Sequence, residues 1–429
     1  MKLLIKGGDV FVSGGIMARK DLLVADGVVV RVADAILPEE AEAIAGGENL
    51  RIIDADGLTV LPGLTDLHVH FREPGFEYKE TIAGGAAAAR AGGFTTVCTM
   101  PNLNPAPDTP ENLRRQLDAI RAQHDVQILP YATITRNRIG EETLADYDAM
   151  SADVAGFSDD GSGVQSADVM RAAMKRIAAT GKILAAHCEV NSLLRGGYIH
   201  DGHYARFNNH RGICSESEWK EIERDIELAE ATGVRLHICH ISTAEGVQLV
   251  RDAKRRGLSV TCETAPHYLW FTDADLENTG RWKMNPPLRS EYDRRELLRG
   301  IADGTIDAIA TDHAPHADSE KSKDLEHSAM GVVGLETSFA ASYTRLVKEG
   351  RIDMARLVEL MSLAPRRLLG LKGFESGGIA EGDPAMLTVV DLNSTRKVDP
   401  ARFKGKGRAT PFEGMTLTGW PCFTIVSGV

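Results

Sequence analysis

Over residues 1–58, apolar and polar positions alternate in short runs such as "LLIKGGDVFV" and "DLLVADGVVVRVA", a period of two that predicts short antiparallel strands. The C-terminal end repeats the pattern in "PAMLTVVDLNSTRKVD" and "GMTLTGWPCFTIVSGV". The long middle has a different rhythm. Short apolar runs ("LTDLHVHF", "TTVCTMPN", "VQILPYATIT", "VAGFSDDG", "KILAAHCE", "VRLHICHIS", "LSVTCETAPH", "DAIATDHAPH") alternate with stretches of helical spacing. Among the latter, "TPENLRRQLDAIRAQHD", "SADVMRAAMKRIAATG", "SESEWKEIERDIELAEATG" and "TAEGVQLVRDAKRRG" each open on Ser or Thr, which is helix-start chemistry. Strand–helix alternation predicts a parallel sheet with helical crossovers, and eight units favour a closed (β/α)8 barrel over an open doubly wound sheet. The expected division is a barrel over 59–375, with 1–58 and 376–429 as two parts of one small β domain.

The polar residues sharpen this picture. His68 and His70 end the first run, Asn102 the second, Asp159 and Asp160 the fourth, and His187 the fifth. His240 ends the sixth, His267 the seventh, and Asp312, His313 and His316 the eighth. In a barrel the C-terminal ends of the strands form one mouth, so residues distant in sequence converge there. His68, His70 and Arg72 stand at every second position, so on a strand they would share a face. Imidazoles with carboxylates at one mouth are a ligand set for zinc or a related divalent ion. His68, His70, Asp160, His187, His240 and Asp312 are enough for two ions sharing a carboxylate and a hydroxide, which would leave a cationic pocket. His124, His237 and His327 are read as structural; "HICH" contributes only His240, because His237 would face the other way on a strand.

Composition limits the function classes. The net charge of −12 argues against a nucleic-acid surface and requires that any anionic substrate meet a concentrated local positive site. No apolar run reaches the roughly 18 residues of a membrane span, and the opening "MKLLIKGGDV" is too short in its apolar core for a secretory signal. The six cysteines are scattered and include no CxxC pair, which suits a reducing cytoplasm.

The motifs "GLTDLHVHFREPG", "TMPN", "GFSDDG", "HCE", "HIS", "MNPPLR", "TDHAPH" and "TPFEGMTLTG…TIVSG" together resemble the dihydroorotases, cyclic amidohydrolases of pyrimidine synthesis. The resemblance spans nearly the whole chain. It implies an α/β fold, a (β/α)8 TIM-type barrel with a small β-sandwich domain formed by both chain termini. The implied reaction is reversible cyclisation of N-carbamoyl-L-aspartate to L-dihydroorotate, with a zinc-bridging hydroxide as nucleophile. His68, His70 and Asp312 would hold one Zn2+, His187 and His240 a second, and Asp160 would bridge them. Asp312 would be the general acid/base. Arg72 and Asn102 would clamp the substrate carboxylate, with His316 beside it and His70 also in contact. Asn285 would touch the ring amides, and the backbone of Met330 and Gly331 would line the substrate. The loop 317–331 would be an active-site flap. Allantoinases, hydantoinases and dihydropyrimidinases are the nearest alternatives; their substrates lack the ring carboxylate, and they generally lack Arg at this position. An inactive homologue serving as a structural partner would have lost ligands, and all six are present. Oligomeric state stays open, with a homodimer as the prior, as does any complex with aspartate transcarbamoylase.

Overall fold

The computed structural model describes residues 2–45, 50–141 and 143–426; the "SGV" ending of the last strand reading lies outside them. The N-terminal alternation forms β1 (Leu3–Val12), β2 (Ile16–Ala25), β3 (Val28–Ala33), β4 (Arg51–Asp54) and β5 (Thr59–Pro62). Alternate residues bury opposite faces, as the period of two requires. Leu4 and Leu23 pack with Ile36 and with Ala41 and Ala45 of a short helix, Pro38–Ala45, while Leu3, Ile5, Leu22 and Val24 join the main core.

Each of the eight middle runs supplies a barrel strand. They are β6 (Leu64–Val69), β7 (Phe94–Thr99), β8 (Gln127–Ala132), β9 (Gly156–Phe157) and β10 (Ile183–Ala186), then, after a two-strand ladder of β11 (Ile199–His200) and β12 (Gly212–Ile213), β13 (Arg235–Ile238), β14 (Val260–Thr264) and β15 (Ala308–Ile309). All neighbouring pairs are parallel. The seam between β6 and β15 is closed past the strand ends. Thr311 N donates to Asp66 Oδ1 (3.1 Å), His70 N donates to His313 O (2.9 Å), and Val69 bridges His313. Leu67, Cys98, Met100, Tyr131, Ile183, Cys239 and Ala310 fill the interior, so the barrel is a packed core with chemistry only at its mouth.

Finally β16 (Leu387–Lys397) and β17 (Thr416–Ile425) complete a seven-stranded sheet of order β17-β16-β5-β1-β2-β3, with β4 on β1. Most of its pairs are antiparallel, as the alternation predicts, but β1 runs parallel to β4 and β5. The segment carrying the Pro38–Ala45 helix is the reason: it acts as a crossover and returns the chain in its original direction.

The helix starts follow the sequence with one exception. Thr109, Ser166 and Thr243 each accept a bond from the backbone three residues on. Ser215, before the helix Glu216–Thr232, already has helical backbone angles and makes no side-chain cap. At the junction of module and barrel, Gly63 N donates to Met386 O at 2.7 Å, and Ser362 Oγ donates to Gly63 O at 2.8 Å. A Cβ at Gly63 would lie 2.2 Å from Thr95 Oγ1 and 2.8 Å from Met386 O. Gly63→Ala is therefore expected to destabilise the protein by about 1–3 kcal/mol, read as a lower midpoint in urea unfolding with the m-value unchanged.

Candidate active site

The strand ends deliver the six proposed ligands to one buried cluster. Asp160 Oδ1 lies 3.4 Å from His68 Nε2, 3.4 Å from His187 Nδ1 and 3.3 Å from His240 Nε2, and its Oδ2 lies 3.6 Å from His70 Nε2. Asp312 Oδ1 is 3.2 Å from His70 Nε2 and 3.5 Å from His68 Nε2. These spacings exceed most good hydrogen bonds, yet donors about 2.0–2.1 Å from a tetrahedral zinc would sit about 3.3 Å from one another. His68 Nε2 is buried without any hydrogen-bond partner, although two carboxylates face it, a cost a cation would remove. Among the described residues three groups present ligand atoms close enough to share an ion, and two of them, His68–Asp160–His240 and His68–His70–Asp312, are built from the proposed ligands; the third is His68–Cys239–Glu263. The donor set therefore fits metal binding.

The electrostatics point the same way. Burial raises the Asp160 carboxyl, but the His68 charge and the bonds from His187 and His240 outweigh it and hold the group well below the usual carboxylate range. Burial also raises Asp312, and the bond from His70 with the charges of His68 and His240 brings it to about 2. The two carboxylates thus stay ionised in the buried site against the imidazoles that surround them.

Backbone turns place several of these groups. His240 and Asp312 have φ of 34° and 47°, and Arg72 has 58°; left-handed conformations cost a non-glycine residue energy, and here they coincide with the site. β6 ends at Val69, so Arg72 reaches the mouth through a turn after the strand, not by strand alternation.

A cavity of about 220 Å3 opens onto this cluster, lined by Arg72, Asn102, Asn285, His316, Met330 and Gly331 among others. All the predicted substrate-contact residues thus meet at one place. Asn102 is already engaged: its Oδ1 lies 2.8 Å from His70 Nδ1, and its Nδ2 donates to Asp160 O (2.9 Å) and Oδ2 (3.2 Å). Asn285 Nδ2 donates to Glu189 Oε1 at 3.0 Å and leaves its buried Oδ1 unpartnered, an acceptor free for a ligand N–H. Arg72 Nε donates to Pro315 O at 3.3 Å; burial draws its pKa down to about 10, so it stays charged at neutral pH.

The loop 317–331 is fastened over the mouth. It contains a short helix (Asp318–Lys321), a fully buried Leu325 and a buried Lys321 whose Nζ donates to Lys283 O (3.0 Å) and Ala329 O (2.7 Å). Gly331 N also donates to Lys283 O (3.0 Å), which ties the loop to the segment carrying Asn285.

Other readings change. His267 belongs to a short helix, Pro266–Trp270, and is held down to about 4 by burial. Asp159 turns away from the cluster to accept from Ile134 N and the Thr135 hydroxyl. Sequence reasoning missed Glu263, whose Oε1 lies 2.8 Å from His68 Nδ1, with Oε2 3.2 Å from His237 Nε2. It also missed Glu189, 3.7 Å from His187 Nε2, and Arg138, which donates to Asp160 O at 2.7 Å. A carboxylate on the outer nitrogen of a metal-binding His fixes its tautomer and orientation. The available signal for Glu263 was an acid inside an apolar strand run.

Comparison with known proteins narrows the reading. A family model described as "Dihydro-orotase-like" matches residues 57–246. Curated dihydroorotases from Listeria innocua and Bacillus licheniformis are 45% and 46% identical to the chain, covering 99% and 100% of it and 97% of their own length. Among solved structures, an L-hydantoinase (dihydropyrimidinase) from Arthrobacter aurescens superposes with a TM-score of 0.85 at 27% identity, covering all of this chain and 95% of its own. A D-hydantoinase at 22% identity and TM-score 0.82 shares the fold. With identity of this extent running from the small sheet through the barrel and back, the chain belongs to the dihydroorotase family.

Proposed function

We propose that this protein interconverts N-carbamoyl-L-aspartate and L-dihydroorotate, and that Zn2+ ions held by His68, His70, Asp160, His187, His240 and Asp312 serve the reaction. The observation that carries the reading is a buried carboxylate–imidazole cluster opening onto a small cavity that Arg72 guards. When bound, such ions would lower the pKa of a shared water and polarise the ring carbonyl.

The chain's own residues supply the rest. Arg72 offers a guanidinium fork to the ring carboxylate, a geometry Lys lacks. Asn285 Oδ1 receives a ring N–H, and Met330 and Gly331 wall the cavity on the side of the fastened loop. Asn102 holds His70 and Asp160 as well as facing the substrate. Asp312, ionised at neutral pH, takes the proton of the attacking water and returns it to the leaving ring nitrogen, a general acid–base role. In the biosynthetic direction the proton moves back through the same carboxylate.

The structural likeness to hydantoinases raises a second reading, hydrolysis of uncharged rings. Arg72 at the cavity favours a carboxylate-bearing ring, because a part-buried guanidinium lining the cavity is a partner for a ring carboxylate and gains nothing from a neutral ring. The deciding assay compares L-dihydroorotate with dihydrouracil, hydantoin and allantoin on zinc-loaded protein. Turnover of dihydroorotate is expected to exceed that of the uncharged rings by a wide margin; preference for an uncharged ring would sink the assignment. Chelation is expected to abolish turnover and lower the melting temperature, with both restored by zinc, since metal binding to the folded state alone stabilises it.

A further inference from the structure

The turn between β6 and the helix Ile82–Ala91 carries a lysine that the proposed mechanism does not use. Lys79 Nζ sits 3.2 Å from His316 Nδ1 and 3.0 Å from Glu320 Oε1, with its side chain 15% exposed. It is not among the residues lining the cavity. On the other side of the ring, His316 Nε2 lies 2.7 Å from Met330 O. A carbonyl only accepts, so Nε2 carries the proton. An ammonium only donates, so Nδ1 must be the bare, accepting nitrogen. Glu320 Oε2, 3.5 Å from the same Nδ1, is occupied by Ala317 N at 3.0 Å.

We infer that Lys79, held by Glu320, is a positioning residue that fixes His316 as the neutral Nε2–H tautomer, whose single N–H is donated to Met330 O at the cavity wall and so holds the ring in place beside the substrate. The inference rests on the proposed substrate contact of His316 for its functional half only. The charged groups facing His316 are Arg72, whose Nη2 is 3.5 Å from Nε2, together with Lys79, Glu320 and Lys321. Burial and the charges of Arg72, Lys79 and Lys321 hold the imidazole down at about 3, so it is neutral throughout the working range. Removing Lys79 deletes both a cation and the donor that reserves Nδ1, and either tautomer then becomes available. A ring with its proton on Nδ1 turns a lone pair toward Met330 O, and the bond that holds the ring at the cavity wall is lost.

The test uses zinc-loaded full-length enzyme labelled with 15N at histidine, with the His316 signals assigned by their loss in His316→Gln. Wild type is expected to show the Nε2–H pattern, unprotonated down to pH 5. In Lys79→Met, the Nδ1 and Nε2 shifts are expected to move toward a tautomer mixture, with the ring still neutral because burial and Arg72 continue to hold it down. KM for dihydroorotate should rise about tenfold with kcat within about twofold, the signature of lost uniform binding. Lys79→Arg, which keeps a cationic donor, should recover most of both. An unchanged Nε2–H pattern in Lys79→Met overturns the inference. If that variant does not fold, Glu320→Gln, which frees Lys79, must shift the same resonances or the inference falls. A KM unaffected in His316→Gln would instead remove the substrate contact while leaving the tautomer assignment standing.

Discussion

Asp312→Asn is expected to lower kcat for dihydroorotate hydrolysis by about 10³-fold, within the range of 10²–10⁴ that positioned acid–base groups contribute. Asp312 keeps its negative charge despite burial, held at about 2 by the bond from His70 and the charges of His68 and His240. It is thus ionised at any physiological pH, the form in which a carboxylate can take a proton. Asparagine preserves the shape and one oxygen, but cannot take a proton. Because Asp312 also belongs to the ligand cluster with His68 and His70, metal content must be measured on the same preparation. Fully loaded Asp312→Asn protein with undiminished turnover would remove the acid–base role. Slow turnover that tracks lost metal would assign Asp312 to binding alone.

Arg72→Met is expected to cut kcat/KM for dihydroorotate by about 10²–10³-fold, since truncating one partner of a buried, hydrogen-bonded charge pair costs about 2–5 kcal/mol. Most of that loss should fall on KM, because the carboxylate is bound equally in ground and transition states. Turnover of dihydrouracil, which has no carboxylate, should change little. The competition between the two substrates therefore reads out the residue's role independently of overall damage. Equal losses on both rings would show that Arg72 supports the fold of the mouth through Pro315 O and does not set specificity.

Much of this site was legible because a parallel barrel maps strand ends onto one place. The runs ending in His68, Asp160, His187, His240 and Asp312 needed only their period and their polar terminators to be placed together. What escaped was of two kinds. Glu263 lies within a predicted strand, yet its importance depends on a cross-barrel partner, His68, 195 positions away; no local pattern encodes that pairing. Lys79, Arg138 and Glu189 act from the connections after strands, where reach is set by long side chains and, at Arg138 with φ of 57°, by left-handed backbone. Strand alternation also gave the wrong reason for Arg72, which a turn delivers. The parallel course of β1 beside β4 and β5 escaped because alternation reports which face is buried, not the direction of the neighbour.

The seam of the barrel also has a bearing on how the protein matures. Asp66 and Thr311, whose contact closes it, are 245 positions apart, and the same closure brings Asp312 to His68 and His70. A chain emerging from the ribosome therefore carries its imidazole pair through most of synthesis without the carboxylate that completes the first ligand group. An isolated pair holds a divalent ion far more weakly than a finished, preorganised set. The His68–His70–Asp312 group is thus complete only after the last strand has docked, whereas the residues of the His68–Asp160–His240 group are all synthesised before β15.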